Sequence, residues 1–341
     1  MNQQTLARLA QVLMAGDKGL LAMDEGNASC NKRFAVRGIA ETAEVRRCWR
    51  ELMVTTPGLG ECISGAILCD ETIRQQLSKG ISFAEALTEA NIMTGIKVDG
   101  GVKDLAAHPG EKITEGLDGL RDRFNEYFLL GARFAKWRSV ITLGKGMPGQ
   151  ACIEANAHAL ARFAALCQEA GMVPVVEPEV LMTGDHNLVR CLEVTELVLH
   201  AVFNQLFIQG VNLDAMILKP NMVLPGLSCV HQDTMDEIAD ATVHCLLRHV
   251  PAAVPGIAFL SGGQMPVEAS ARLGAMNARF RSRLPWALTF SYSRAIQEPA
   301  LDVWLGRESA AQAAQHTLLH RARCNQAACR GEYSAALEFS S

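Results

Sequence analysis

Residues 214–221 read Asp214-Ala-Met-Ile-Leu-Lys219-Pro220-Asn221, a short apolar run that ends in a cation and is halted by proline. Proline has no N–H and keeps the residue before it extended, so Lys219 closes a strand. Burial at that position makes an ammonium costly and favours the neutral amine, the form that attacks carbonyls. A strand-ending lysine that snorkels to water is the commoner event. The decision therefore falls to the rest of the chain.

Seven further runs have the same form, apolar with a polar end. They are 19–24 (GLLAMD), 65–70 (GAILCD), 95–99 (GIKVD), 134–138 (FAKWR), 173–177 (VPVVE), 256–261 (GIAFLS) and 286–291 (WALTFS). Their polar ends fall at 24, 70, 99, 138, 177, 219, 261 and 291, steps of 29 to 46 residues that are each long enough to include a crossover helix. Those intervals carry helical spacing. Ile153, Ala157, Leu160, Ala164 and Cys167 recur every three or four residues, with Gly171 placed as a C-cap. Asp185 is positioned to cap a helix bearing Leu188, Leu192, Leu199, Val202 and Leu206. Thr234 and Glu237 form a candidate capping box. Leu6, Leu9 and Leu13 mark an N-terminal helix closed by Gly16. Strand and helix alternating eight times predicts an α/β chain folded as a (β/α)8 barrel, a single domain over 1–323. A doubly wound open sheet would want a glycine-rich turn after the first strand, and Asp24-Glu25-Gly26-Asn27-Ala28-Ser29 is not one. From Cys324 the periodicity fades, predicting a mobile tail over 324–341.

The 341 residues are 49% hydrophobic and carry a net charge of −4 with both signs mixed, so no basic stripe points to nucleic acid. Eleven scattered cysteines form no Cys-x-x-Cys pair. The one close pair, Cys324 and Cys329, stands in a region that offers no histidine spacing for zinc, and free thiols in a reducing compartment are expected. The N-terminus shows no apolar signal core and no uninterrupted apolar run is 18 residues long. A cytoplasmic protein with no membrane partner is the expectation.

In a barrel of this kind, function gathers at the C-terminal ends of the strands. There the sequence places Asp24, Asp70, Lys97, Lys136, Arg138, Glu177, Lys219, Ser261, Ser291 and Arg294. Period-two alternation sets Phe134, Lys136 and Arg138 on one face, and Glu177 with Glu179 on one face of the next strand. If these faces point inward, Lys136 and Glu177 flank Lys219. Lys136 then favours its neutral form, and Glu177 shuttles the protons of carbinolamine chemistry. The competing explanation is a structural ring of ion pairs. Ser261-Gly262-Gly263 and Ser291-Tyr-Ser-Arg294 follow the last two runs, where barrels often bind phosphate. Ser29, Lys32 and Arg33, beyond the first strand, are candidates for a second phosphate. A nucleophilic amine, acid/base groups and anion sites point to amine catalysis on a phosphorylated ketose without a metal.

The stretches LLAMDEGNAS, GIKVDGGV, GARFAKWRSV, VPVVEPEVL, ILKPNMVLPG, FLSGGQ and ALTFSYSRAIQ resemble the class I (Schiff-base) fructose-bisphosphate aldolases, in order along nearly the whole chain. The resemblance implies a homotetrameric barrel that cleaves fructose 1,6-bisphosphate to dihydroxyacetone phosphate and glyceraldehyde 3-phosphate, with no cofactor. It further implies Lys219 as the imine-forming lysine, Glu177 as acid/base, Lys136 as its assistant and Asp24 as the group acting on the C4 hydroxyl. Arg138 and Glu179 would line the site. Ser261, Gly262, Gly263, Ser291 and Arg294 would take the C1 phosphate, and Lys97, Ser29, Lys32 and Arg33 the other. Three features depart from the family pattern: no C-terminal tyrosine, Gly26 in place of a serine, and Ser293 in place of a glycine. Alternative readings are a preference for fructose 1-phosphate or sedoheptulose 1,7-bisphosphate, and a barrel kept as a binding scaffold.

Overall fold

The computed structural model describes residues 3–339. Eight parallel strands close into a barrel: β1 (Gly19–Ala22), β2 (Ile63–Leu68), β3 (Met93–Lys97), β6 (Phe134–Ile141), β7 (Val173–Val180), β8 (Ile217–Leu218), β9 (Gly256–Phe259) and β10 (Ala287–Tyr292). All eight predicted runs are strands of that barrel. The sequence reading missed β4 (Val102–Asp104) and β5 (Lys112–Thr114), an antiparallel hairpin inserted between β3 and β6. Three-residue strands are too short to show a period.

Two apolar layers hold the barrel. Outside, the strands pack against their helices. Inside, a smaller cluster joins Leu20, Ala22, Ile67, Phe134, Val173, Val175, Ile217 and Ala258 to Leu6, Ala10, Leu13 and Met14 of the helix Gln3–Met14, which stoppers the N-terminal end. Strand alternation accounts for the interior column by column. Val173 and Val175 continue into Glu177 and Glu179, Phe134 into Lys136 and Arg138, Ile217 into Lys219, and Leu20 and Ala22 into Asp24. Each of these four columns is apolar at the base and charged at the mouth.

β8 is two residues long because Pro220 cannot extend the ladder. Lys219 N–H still donates to Val176 O at 2.8 Å, and beyond the proline the Asn221 side chain accepts from Val180 N–H at 3.0 Å. A side-chain amide thus replaces the missing rung. Predicted helix signals mostly hold. Thr234 and Glu237 form the capping box, and Gly171 follows the helix Gln150–Glu169 with φ +79°. The cap of the helix Leu188–Ile208 is Asn187 rather than Asp185, since the Asn187 side chain accepts from Arg190 N–H at 2.9 Å. That helix is long and apolar enough to cross a membrane by length and composition, yet half of its most apolar window is buried within the fold.

The boundary expected at Cys324 is corrected. The last helix runs Ala311–Arg330 and buries Cys324, Asn325, Ala327, Ala328 and Cys329. Those small residues give no bulky stripe to read, but they allow close packing against the helix Pro266–Phe280. Ser340 and Ser341, the end of the expected tail, lie outside the described residues.

Space inside the barrel is set by glycine. A Cβ on Gly95 would stand 2.3 Å from the Phe134 ring, and one on Gly65 2.9 Å from the same ring. Gly95→Ala is expected to destabilise the fold by about 1–3 kcal/mol, the usual cost of overpacking. Adding Phe134→Leu should recover part of that loss in a thermal melt, and an unchanged Tm for Gly95→Ala would contradict the packing described.

Candidate active site

Four charged side chains meet above the apolar interior. Lys136 Nζ lies 2.8 Å from Asp24 Oδ2 and 3.1 Å from Glu177 Oε2, and Glu177 Oε1 lies 3.2 Å from Lys219 Nζ. All four are buried, none above 7% exposed. They form one alternating line, Asp24–Lys136–Glu177–Lys219. Of the two residues expected to flank Lys219, Glu177 does so, whereas Lys136 stands on the far side of Glu177, against its other oxygen. The contact at Glu177 Oε2 is ionic, because its geometry falls short of a hydrogen bond. That oxygen remains able to accept from a hydroxyl.

Burial alone would raise the Asp24 carboxyl, but Lys136, followed by Lys219 and Lys97, brings it down to about 2. Burial would likewise weaken the charge on Lys136. Asp24 and Glu177, with Asp99 more distant, instead hold its pKa well above the usual lysine value. Lys136 is therefore a fixed cation at the centre of the line.

Around this line opens a cavity of about 240 Å³. It is lined by Asp24, Ser29, Lys97, Lys136, Arg138, Glu177, Glu179, Lys219, Ser261, Gly262, Ser291 and Arg294 from the sequence-predicted set. Lys97 is held by Asp99, Nζ to Oδ1 at 2.5 Å, and Arg138 Nε donates to Glu179 Oε2 at 2.5 Å. The Ser291 hydroxyl is buried without a hydrogen-bond partner among the described residues, a donor left open to a ligand. Gly262 and Gly263 have φ +59° and +100°, which glycine adopts without strain. Consecutive amides in turns of this kind form anion-binding concavities. Two helices also begin at the cavity without a side-chain cap, Asn27–Ala35 after Gly26 and Arg294–Trp304 after Ser293. Their free N–H groups favour anions.

Four predicted residues stand elsewhere. Lys32 is exposed on the helix Asn27–Ala35 and does not line the cavity. Arg33 is committed to Glu25 at 2.6 Å and Glu298 at 3.0 Å. Gly263 lies just outside, where an added Cβ would come within 3.4 Å of the Arg294 guanidinium, so its role is to leave room for that group. Asp70 opens a short helix and binds Arg74 and the Tyr127 hydroxyl. A strand's last polar residue serves the mouth only if it falls on the inward phase, and β2 ends at Leu68.

Sequence reasoning missed Glu25, which lines the cavity and accepts from Arg33 Nη1 and the Ser293 hydroxyl. It missed Asp99 too, whose carboxylate anchors Lys97 and accepts from Arg138 N–H at 3.3 Å. The position of Asp99, two residues after Lys97, was its only signal. None of Tyr127, Tyr292 and Tyr333 lines the cavity: they donate to Asp70, Ala269 O and Glu338.

A family model for class I fructose-bisphosphate aldolase matches residues 5–341. The chain belongs to the class I fructose-bisphosphate aldolase family. It is 50% identical over 334 residues to a probable class 1 fructose-bisphosphate aldolase of Xanthomonas campestris pv. campestris, covering 98% of this chain and 99% of the relative. A chloroplastic fructose-bisphosphate aldolase 1 of Chlamydomonas reinhardtii is 46% identical, covering 98% and 88%. Among solved structures, a fructose-bisphosphate aldolase from Plasmodium falciparum, crystallised with TRAP and a small-molecule inhibitor, superposes with a TM-score of 0.96 at 44% identity, over 97% of this chain and 96% of that one. Aldolases of this class work through a Schiff-base lysine and use no metal, and the buried Lys219 amine beside Glu177 suits that chemistry.

Asp24→Asn tests the ion-pair line. A carboxyl lowered in the fold contributes stability above its unfolded value near 4, and loses it as pH falls through about 2. The variant is expected to be less stable than the parent at pH 7 by about 2 kcal/mol. Melts followed from pH 5 downward should show that difference shrinking below about pH 4. A gap that stays constant with pH would contradict the assignment.

Proposed function

We propose that Lys219 forms the imine through which this aldolase reversibly cleaves fructose 1,6-bisphosphate to dihydroxyacetone phosphate and glyceraldehyde 3-phosphate. The observation that carries this is the buried 3.2 Å contact between Lys219 Nζ and Glu177, with Lys136 on the carboxylate's other oxygen. Glu177 takes a proton from the Lys219 ammonium, and the freed amine attacks the C2 carbonyl. Glu177 gives that proton to the carbinolamine oxygen, takes one from the attached nitrogen and passes it to the same oxygen, which leaves as water while the iminium keeps the positive charge. Lys136, always charged, stabilises the Glu177 carboxylate formed at each transfer and restrains its position.

The resulting iminium is an electron sink. Asp24, kept ionised by Lys136, takes the C4 hydroxyl proton. The C3–C4 electron pair moves into the iminium and glyceraldehyde 3-phosphate departs. Protonation of the enamine at C3 and hydrolysis then release dihydroxyacetone phosphate and the free amine. Ser261, Gly262, Ser291 and Arg294 are assigned to the C1 phosphate, supported by the open Ser291 hydroxyl and the uncapped helix at Arg294. Lys97 and Ser29 are assigned to the other phosphate, with Arg33 positioning the loop through Glu25.

We also propose a homotetramer. The helix Leu188–Ile208 leaves Leu197, Phe207 and Ile208 55%, 82% and 60% exposed, apolar surface suited to a second copy. Light scattering behind size exclusion is expected to report four chains, and a monomer at micromolar concentration would overturn this. A reducing cytoplasm is proposed as the compartment, supported by eleven free cysteines, nine of them buried. Cell fractionation that recovers the protein from an organelle would count against it.

Incubation with fructose 1,6-bisphosphate and borohydride should add one reduced adduct, located by peptide mass analysis on the peptide holding Lys219. Lys219→Met is expected to lose cleavage by at least about 10³-fold while keeping its circular dichroism. An adduct on another lysine, or a folded Lys219→Met with near-normal turnover, would sink the assignment.

A further inference from the structure

A cavity of about 910 Å³ lies on the outside of the barrel, bounded by the helix Ala311–Arg330 and the segment Ala335–Phe339. Nothing in the aldol chemistry uses it. On its wall the helix places His320 one turn before Cys324, and the terminal segment brings Glu338 against them. His320 Nε2 and Cys324 Sγ are 3.6 Å apart. One ligand atom from each of the three residues lies within 4.8 Å of the other two. The pair escaped the sequence reading because that reading looked for histidines beside Cys324 and Cys329 in a tail without helical order.

We propose that His320, Cys324 and Glu338 form a peripheral binding site for a thiophilic divalent cation of the zinc type. Zinc binds thiolate at about 2.3 Å and imidazole at about 2.0–2.1 Å, which at a tetrahedral angle sets sulfur and nitrogen about 3.6 Å apart. The His320–Cys324 pair already has that separation, so two ligands are preformed on a rigid helix. Glu338 lies within 4.8 Å of both ligand atoms, so it needs to close by at most about 1.4 Å to complete the set. Thiolate and carboxylate together neutralise a dication. The fourth position opens to the cavity, which His316 lines a further turn back along the same helix.

The surroundings explain both what opposes the cation and what it would do. Arg321 donates through Nη1 to both Glu338 oxygens, and Tyr333 donates to Oε1 at 2.7 Å. Arg321 is a like charge beside the site and competes for the carboxylate. It does not depend on Glu338 alone, since it also donates to Pro266 O at 2.9 Å and Ser270 Oγ at 2.6 Å. One carboxylate oxygen can therefore turn to the metal without leaving a buried cation unpaired. Burial, offset by Arg321 and reinforced by Glu338, pushes the Cys324 thiol up to about 11, so loading must release its proton. A loaded site would clamp the terminal segment to the helix at Glu338.

The test is a titration of the full-length protein with cobalt(II), then with zinc(II) as competitor. One equivalent of cobalt is expected to give a thiolate-to-metal charge-transfer band that zinc abolishes. Cys324→Ser and His320→Gln should each lose the band or weaken binding by more than about tenfold. Cys329→Ser, which changes a buried cysteine outside the cluster, should keep it. Limited proteolysis near Glu338 should slow when the parent is loaded, and not in Cys324→Ser. A melt of each variant with chelator establishes that it is folded. No band in the parent, or a band that survives Cys324→Ser, would overturn the proposal. Imine trapping at Lys219 reads the catalytic assignment separately.

Discussion

The alternation of charge from Asp24 through Lys136 and Glu177 to Lys219 is the constraint on which the site depends. Two buried anions and two buried cations lie at contact distances of 2.8–3.2 Å, each stabilised mainly by its neighbour. Removing any one would leave a partner desolvated and unpaired, a far larger cost than the loss of a surface salt bridge. The arrangement also holds the Glu177 carboxylate between Lys136 and Lys219, so the proton transfers of the proposed mechanism need no movement of that group.

The barrel supplies this line without special loops. Every member continues an inward strand column whose lower residues are apolar: Val175 below Glu177, Ile217 below Lys219, Phe134 below Lys136, Ala22 below Asp24. Packing below therefore fixes geometry above. The stopper helix Gln3–Met14 fills the base, and Gly65 and Gly95 make room for the single large ring of Phe134. The rim of the cavity is built differently, from loops and helix starts at Gly26, Gly262 and Ser293.

Much of this was legible in the sequence for a physical reason. Buried parallel strands announce themselves as apolar runs, and a charge at the end of each run is hard to accommodate unless a site needs it. Eight runs, their spacing and the shared faces of Lys136 with Arg138 and of Glu177 with Glu179 followed directly, whereas which way those faces point had to come from the closed barrel. What could not be read depended on side-chain commitments between distant segments. The ion pairs of Arg33 with Glu25, just ahead of its own helix, and with Glu298, on another helix, had no sign in the sequence. Glu25 carries no pattern of its own. The end of the last helix was hidden because from Ala322 onward its buried face is made of alanine, cysteine and asparagine, which give no periodic hydrophobic signal.

The short strand β8 has a wider meaning for how such a barrel can vary. Its neighbours are held by ladders of backbone bonds that tolerate many side chains, whereas beyond Lys219 the side toward β7 is held by one carboxamide, Asn221, which accepts from Val180 N–H and donates to Thr195 Oγ1 and Met222 O. Identity there is dictated by shape and hydrogen-bond valence rather than by chemistry with substrate. A residue outside the cavity lining can thus be as restricted as the proposed nucleophile two positions before it, and drift in this seam would be read in the closure of the wall before it was read in turnover.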